Sequence, residues 1–455
     1  MRLRVLVLAA LAAVCVTGRA EAACRSLAVT KAPVPFKHYA TIQKAVNAAK
    51  PCDWILIAPG VYREAVVVKT PHLHLRGLDR NLVIVDGEHI VGRNGILVDK
   101  ADDVWIENLT VRNFDRASRD GPGGNEIWWN GGDESGTIGL TGWHGNYLTA
   151  YDTGLLGGYG LFTSNSVQGE WNQVYASGFN DSGLYVGACR DCRATVSHAL
   201  AERNALGFSG TNAGGHLIVQ DSVFRNNSVG VSPNSLPNDE PPPQLGTCDS
   251  GTNTSPTPTI ASTGVARCTI FRRNRIVGNS NLKTPSNSTT GQLPWGVGFL
   301  LLGTYGDLVT NNVITGNANF GLLGIENPVP FPPTTKTLYF QLSGNKVVNN
   351  SLSGAKVADL ALEGGLFGSK QSVNNCFAGN RAAKTLPADL SAWACTLQTT
   401  PNADSVTTGS LFGTVVQLQG ESLKRTQQAQ PAPPPQPTMP NACAGAPGRS
   451  PLCHG

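Results

Sequence analysis

Pairs of polar residues five apart, with apolar residues between them, recur along the chain. They are Asn108/Asn113, Ser222/Asn227, Asn274/Asn279, Asn312/Asn317, Asn345/Asn350 and Asn375/Asn380. Each intervening segment reads as a short strand, for example Val223-Phe224 or Val313-Ile314, because apolar and polar positions alternate. Beyond each pair lies a glycine beside a second alternating stretch. Its leading inward residues are read as Ile138, Leu161, Leu184, Leu206 and Val229, then Phe299 and Leu322, with spacings of 23, 23, 22 and 23, and again 23 for the last pair. Such a period is too short for a strand–helix–strand unit and carries no helical pattern. It predicts a coil of about three short parallel strands, each stacking its apolar residues on the next coil. Asparagine suits the bends because it tolerates left-handed backbone and its amide bonds to neighbouring backbone. Stacked asparagines can also bond from coil to coil. The expected fold is all-β, a single-domain right-handed parallel β-helix, with the hand taken from the rule for parallel crossovers.

The ends extend this picture. Residues 40–50 place Ile42, Ala45, Val46 and Ala49 on one helical face, which predicts a helix capping the open N-terminal end of the stack. Asp53 to Ile57 reads as the first strand and Pro59 to Tyr62 as its turn. The expected organisation is a signal peptide over 1–22, an N-terminal segment with the capping helix over 23–52, the β-helix over 53–396 and a C-terminal segment over 397–455. In that last segment residues 421–442 are polar and proline-rich, and are expected to be extended or disordered.

Composition and charge narrow the classes. Arg2 and Arg4 precede an apolar run from Val5 to Val16, and Ala20-Glu21-Ala22 has the small-residue spacing of a cleavage site. Export with cleavage near Ala22 is expected, to a secreted or periplasmic location. The apolar run is too short to span a bilayer. Residues 1–22 carry three Arg and one Glu, so the formal charge of +4 falls to +2 without them. That gives no reason to expect nucleic acid. Ten cysteines remain after Cys15 leaves, and export makes them disulfide candidates. Nearest-neighbour spacing suggests Cys24–Cys52, Cys189–Cys192, Cys248–Cys268, Cys376–Cys395 and Cys443–Cys453, although ten cysteines allow many other pairings.

The stretch Tyr39-Ala40-Thr41-Ile42-Gln43-Lys44-Ala45-Val46, followed by Ile57-Ala58-Pro59-Gly60-Val61-Tyr62, resembles the opening segment of pectin-lyase-like right-handed β-helix proteins. A second match runs from Asp181 to Cys192 and continues through Ala201-Glu202-Arg203-Asn204 and Thr211-Asn212-Ala213-Gly214. It is similar to exported bacterial β-helix repeat proteins whose role is generally unassigned. The latter usually carry proline before the second cysteine, where Asp191 stands here. The resemblance covers roughly residues 38–380 and implies the fold; one fold hosts many activities, so it implies little about chemistry.

Long segments interrupt the repeat at 114–136, 232–263, 281–295 and 327–336. They flank one strand row and would wall a groove along it. Alternation turns Phe162, Tyr185, Ser209, Ser232, Leu300, Leu323 and Lys356 toward that groove. Phe162 and Tyr185 offer flat faces for sugar rings, and Trp128, Trp129 and Trp143 are further candidate ligand-binding residues. The row holds no acid and a single lysine, whereas hydrolysis needs two carboxylates and elimination needs a base with charge neutralisation. Candidate acid–base residues fall instead in 126–152, read as one irregular segment: His144, Tyr147 and Asp152. The Asp-Pro-His-Glu motif of alginate epimerases is absent. Cys189 and Cys192 have no second CxxC and no His/Met-rich cluster accompanies them, so neither metal nor cofactor is expected, with Ca2+ entering only for a lyase. The sequence points to an exported β-helix that binds an extracellular or cell-envelope polysaccharide in a loop-walled groove. The alternatives are a polysaccharide lyase or C5-epimerase acting on a uronate-containing glycan, and a surface adhesin or structural spacer. Oligomeric state is not legible.

Overall fold

The computed structural model describes residues 24–115, 124–132, 137–236, 269–330, 337–340, 342, 344–363, 375–392, 408–448 and 450–453. The signal segment, Cys248, Cys268 and Cys395 lie outside them. Among the described residues, strands gather into two large parallel sheets of 19 and 11 strands, plus a small antiparallel pair, Asn327–Pro330 with Thr337–Phe340. The larger sheet winds around the corners of the coil; the smaller one forms a separate face. Parallel pairing of strands from successive coils makes this a right-handed parallel β-helix. Ile127, Leu161, Leu184, Phe208, Val231, Phe299, Leu322 and Leu360 stack in register down its core.

Three of the inward positions read from the period are corrected. Ile138 is exposed, and Ile127 takes its place in the stack. Leu206 and Val229 pair with each other at the strand start, two residues before the core positions Phe208 and Val231. Alternation breaks at the strand start: Leu206 and Val229 join the outer cluster of Leu300 and Leu323, whereas Phe208 and Val231 fill the core. Lys356 likewise lies in a turn, and Leu323 is in register with Ala361.

The asparagine pattern does what its chemistry allows. At the inner corners Asn227, Asn279 and Asn317 form one ladder, and Asn274, Asn312 and Asn350 another, with amide-to-amide bonds of 2.9–3.1 Å. All of these residues are buried. Helix α1 (Ile42–Ala48) begins at Thr41, whose hydroxyl accepts from Lys44 N, and buries Ile42, Ala45 and Val46 against the end of the stack. A strand missed in the sequence, Ser26–Val29, precedes it and pairs with Trp54–Ile57. Residues 60–62, read as a turn, are a strand.

A second helix, α2 (Thr408–Leu423), packs Leu411, Val415 and Leu418 on the outer face of the 11-stranded sheet at Leu300 and Leu323. The proline-rich tail then runs extended, as its composition requires, but it is docked rather than disordered. It returns along the helix toward the first coils. Gln428 N donates to Lys283 O, Gln436 exchanges bonds of 2.8 Å with Asn81, and Met439 N donates to Asn108 Oδ1 at 2.8 Å. Near its end Ser26 Oγ donates to Pro447 O. Fully buried Arg80 is the main clamp: its guanidinium donates to Pro437 O, Thr149 Oγ1 and Leu148 O, all neutral acceptors. Burial pushes its pKa down to about 9. Arg80→Ala is therefore expected to release the strap, so that amide exchange at Gln436 and Met439 quickens by about tenfold or more while core amides are unchanged. Exchange rates unaltered at both positions would remove Arg80 as the clamp.

The bonds Cys24–Cys52, Cys189–Cys192 and Cys443–Cys453 form as expected. Cys376 is also disulfide-bonded. Cys189 and Cys192 are fully buried, which suits a structural bridge.

Candidate functional site

The outer face of the 11-stranded sheet floors a cleft of about 1450 Å³. Its central row follows from the register: Trp128 pairs with Phe162, Phe162 with Tyr185, Tyr185 with Ser209, and Ser209 with Ser232. Because each coil adds one residue to the row, a short side-chain code repeated along the sequence becomes a track along the helix axis. Trp128 and Phe162 stack at 5.0 Å and 14°. Tyr159 stacks on Phe162 at 4.5 Å, and Tyr185 meets Phe162 edge-on at 4.8 Å. Beyond this aromatic end the floor turns polar, with Ser209, Thr211, Ser232 and Asn234, and then aliphatic where α2 covers Leu300 and Leu323.

The walls are residues 155–158, residues 286–294 and α2. Asp181 ties the second wall to the floor: its carboxylate accepts from Ser182 Oγ and Asn287 Nδ2, each at 2.8 Å, while Thr290 Oγ1 donates to Asn180 O at 2.7 Å. Burial pushes the Asp181 carboxyl up, against the lowering effect of the Asn287 and Ser182 bonds. Charged lining residues among those described are Arg93, Asp181 and the fully buried Glu326. No pair of exposed carboxylates faces the described floor.

Of the ligand-binding residues named from sequence, Phe162, Tyr185 and Trp128 line this cleft. Trp129 and Trp143 do not: both are fully buried in the core, Trp129 donating to Val104 O and Trp143 packing on Trp171. The reading of 126–152 as one irregular segment is the cause. It contains two strands, Asn125–Asn130 and Leu140–Tyr151, so Trp128 and Trp129 point to opposite faces. Trp129→Ala is expected to cost about 3–5 kcal/mol of stability, measured by denaturant unfolding, whereas Trp128→Ala costs about 1 kcal/mol. Equal losses would contradict their assignment to opposite faces.

The acid–base candidates are not brought together. His144 lies on the outer face of the larger sheet, in a stacked ladder with Trp105 (3.9 Å), His74 and Trp54. Its nearest acids are Asp103 at 3.3 Å and Glu170 at 3.7 Å. His144 holds the Glu170 carboxyl below its ordinary range. Tyr147 is half-buried at a left-handed bend, φ 52°, inside the same strand. Asp152 is buried past the end of that strand, where it accepts from Gly154 N and Gly157 N at 3.0 Å and neighbours Asp115 and His89. Burial and the Asp115 charge push its pKa up to about 6. His144 and Asp152 thus share no partner, and the chemistry expected of them as a set has no common centre. Sequence reading missed Tyr159, which closes the aromatic cluster, and His89 and Asp115, which stand far from Asp152 in the chain and meet it only through coil stacking.

No protein-family model matches the chain, and no curated protein does. Solved structures with a similar course of chain include the A-module of mannuronan C-5 epimerase AlgE4 from Azotobacter vinelandii, at 14% identity over 74% of this chain and 82% of that one, with a TM-score of 0.49. An alginate lyase from Paenibacillus sp. str. FPU-7 is similar at 13% identity over 73% and 97%, TM-score 0.39. Pectin methylesterase PemA from Erwinia chrysanthemi is similar at 13% identity over 82% and 98%, TM-score 0.33. These are likenesses of overall architecture.

Proposed function

We propose that this is an exported polysaccharide-binding protein that seats a glycan chain in the cleft over the 11-stranded sheet. The observation that carries the reading is the cluster of Trp128, Tyr159, Phe162 and Tyr185 at one end of a long cleft whose floor continues in hydroxyl and amide groups. Sugar rings present apolar C–H faces and a hydroxyl rim. They suit flat rings beside short polar side chains. The volume of about 1450 Å³ exceeds the range of roughly 300–1,000 Å³ usual for small-molecule pockets, which favours several sugar units over one.

The charge of the lining narrows the substrate class. A uronate polymer brings one negative charge per acidic sugar, and the described lining offers Arg93 against Asp181 and Glu326. A neutral or N-acetylated glycan fits this balance; a polyuronate leaves its carboxylates unmatched. Disulfides accord with an oxidising compartment, and among the described residues no helix is long and apolar enough to cross a membrane. Affinity electrophoresis through gels containing neutral or uronate polysaccharides tests the class. Retardation by a neutral or N-acetylated polymer is expected, and retardation confined to uronate polymers would overturn it.

A further inference from the structure

Beside the aromatic end of the cleft, three residues remote in sequence converge at one corner of the coil. His89 Nδ1 stands 3.0 Å from Asp115 Oδ1 and 3.8 Å from Asp152 Oδ1. One ligand-type atom from each lies within 4.8 Å of the others. Donors around a tetrahedral cation at about 2.1 Å stand about 3.4 Å apart, so these separations are already close to those of a coordination shell. The imidazole is placed by a turn in which His89 has φ 62° and its N–H donates to Asn113 O.

The other ring nitrogen has a partner of its own. Thr153 Oγ1 donates to Asn113 Oδ1 at 2.9 Å and lies 3.4 Å from His89 Nε2. One ring nitrogen thus faces two carboxylates and the other a hydroxyl, the placement of a histidine ligand steadied by an outer partner.

Behind this group a further buried acid, Glu126, has an oxygen without a partner. It is fully buried; Oε1 accepts from Phe114 N at 3.2 Å, and Oε2 has no hydrogen-bond partner. Its position is otherwise a glycine row: the register places it between Gly95 and Gly160, with Gly183 and Gly207 following. Side chains on that row project at the corner, since a Cβ on Gly183 would meet Asn204 Nδ2 at 2.7 Å. At the far end of the row Asp359 is satisfied by the N–H groups of Ala355, Ala383 and Lys384. Glu126 Oε2 has no such N–H partner. The nearby cation Arg112 is taken by Asp86 and Tyr151.

The geometry points to a divalent-cation site in which His89, Asp115 and Asp152 are the ligands and Glu126 balances charge behind them. A mixed imidazole–carboxylate set favours Zn2+ or Mn2+ over Ca2+, which takes six to eight oxygens. The cation would fix the turn from Asp152 to Gly158, whose Leu155, Leu156 and Gly158 border the cleft. It organises the wall of the glycan site without touching the sugar.

The test uses the chelator-treated mature chain and isothermal titration with ZnCl2, MnCl2 and CaCl2, no glycan being present. The expected result is one Zn2+ per chain, bound more tightly than Ca2+, with slower amide exchange across 153–158 on loading. His89→Gln, a change at a partly exposed side chain, is expected to weaken Zn2+ by about a hundredfold, and Glu126→Gln by about tenfold. Asp152→Asn is the second ligand variant, with its fold checked by circular dichroism because Asp152 also caps Gly154 and Gly157. Absence of Zn2+ binding, Ca2+ preference, or unchanged affinity in His89→Gln would each overturn the site. None of these outcomes bears on glycan binding, so the two readings fail separately.

Discussion

Replacing Phe162 and Tyr185 together by alanine is expected to reduce affinity for the cognate glycan by about three orders of magnitude. Buried aromatic anchors at an interface centre cost about 2 kcal/mol or more each when truncated, and 1.4 kcal/mol is a factor of ten. The two rings touch edge-on at 4.8 Å, so the single variants need not sum to the double. Folding survives the change because the rings belong to the outer row, whereas the core side of the same strands is filled by Leu161 and Leu184. Ser232→Ala at the polar part of the floor is expected to cost less than about 1 kcal/mol. A titration series by calorimetry or by fluorescence of Trp128 reads all of these. A double variant that binds as tightly as the parent would remove the aromatic end from the site.

The second large effect is on stability. Asn279→Ala is expected to destabilise the chain by about 3–5 kcal/mol, far more than an exposed change such as Val313→Ala, at about 0.5 kcal/mol. Asn279 Oδ1 accepts from both the backbone N and the Nδ2 of Asn227, and its Nδ2 donates to Phe224 O and Asn317 Oδ1. All three asparagines are buried, so truncation leaves the Asn227 N–H without its acceptor at about 1–3 kcal/mol and loses the remaining bonds as well. Aspartate is expected to fail too. It keeps the acceptor for Asn227 but sets a carboxylate against Asn317 Oδ1, which already accepts from the Asn279 backbone at 3.0 Å. Denaturant midpoints of the variants decide the matter; a loss below about 1 kcal/mol for Asn279→Ala would mean that the ladder is decorative.

The ladder was legible because it depends on residue type and spacing: paired asparagines five apart mark successive bends of a coil, although not the same two bends throughout, since Asn312, first of its pair, stacks on Asn350, second of its own. The outward row was legible where glycine and strand alternation were clean, as at Phe162, Tyr185, Ser209 and Ser232. It failed at Trp129 because glycine-rich, polar flanks hid the strand Asn125–Asn130 and made both neighbouring tryptophans read as loop residues. Strand pairing then separates them, one to the cleft and one to the core. Leu206 and Val229 were misread because strict alternation does not extend to the strand start, where both turn to the outer cluster. Composition identified the tail as extended, but not where it goes, since its partners Asn81, Arg80 and Asn108 lie more than 300 residues away. His89, Asp115 and Asp152 show the same limit. A site built by stacking coils of unequal length leaves no motif spacing in the chain.

The central claim is that the cleft holds a glycan chain at its aromatic end. Saturation-transfer-difference NMR on the mature protein tests it most directly, with a panel of neutral, N-acetylated and uronate oligosaccharides observed over several hours. The account predicts transfer to the ring protons of a neutral or N-acetylated oligosaccharide, loss of that transfer in the Phe162→Ala/Tyr185→Ala protein, and no new vinylic or anomeric signals. Transfer to none of the panel, transfer undiminished in the double variant, or the appearance of product signals would contradict it. The first outcome would leave an adhesin or spacer, the second a glycan site elsewhere, and the third an enzyme.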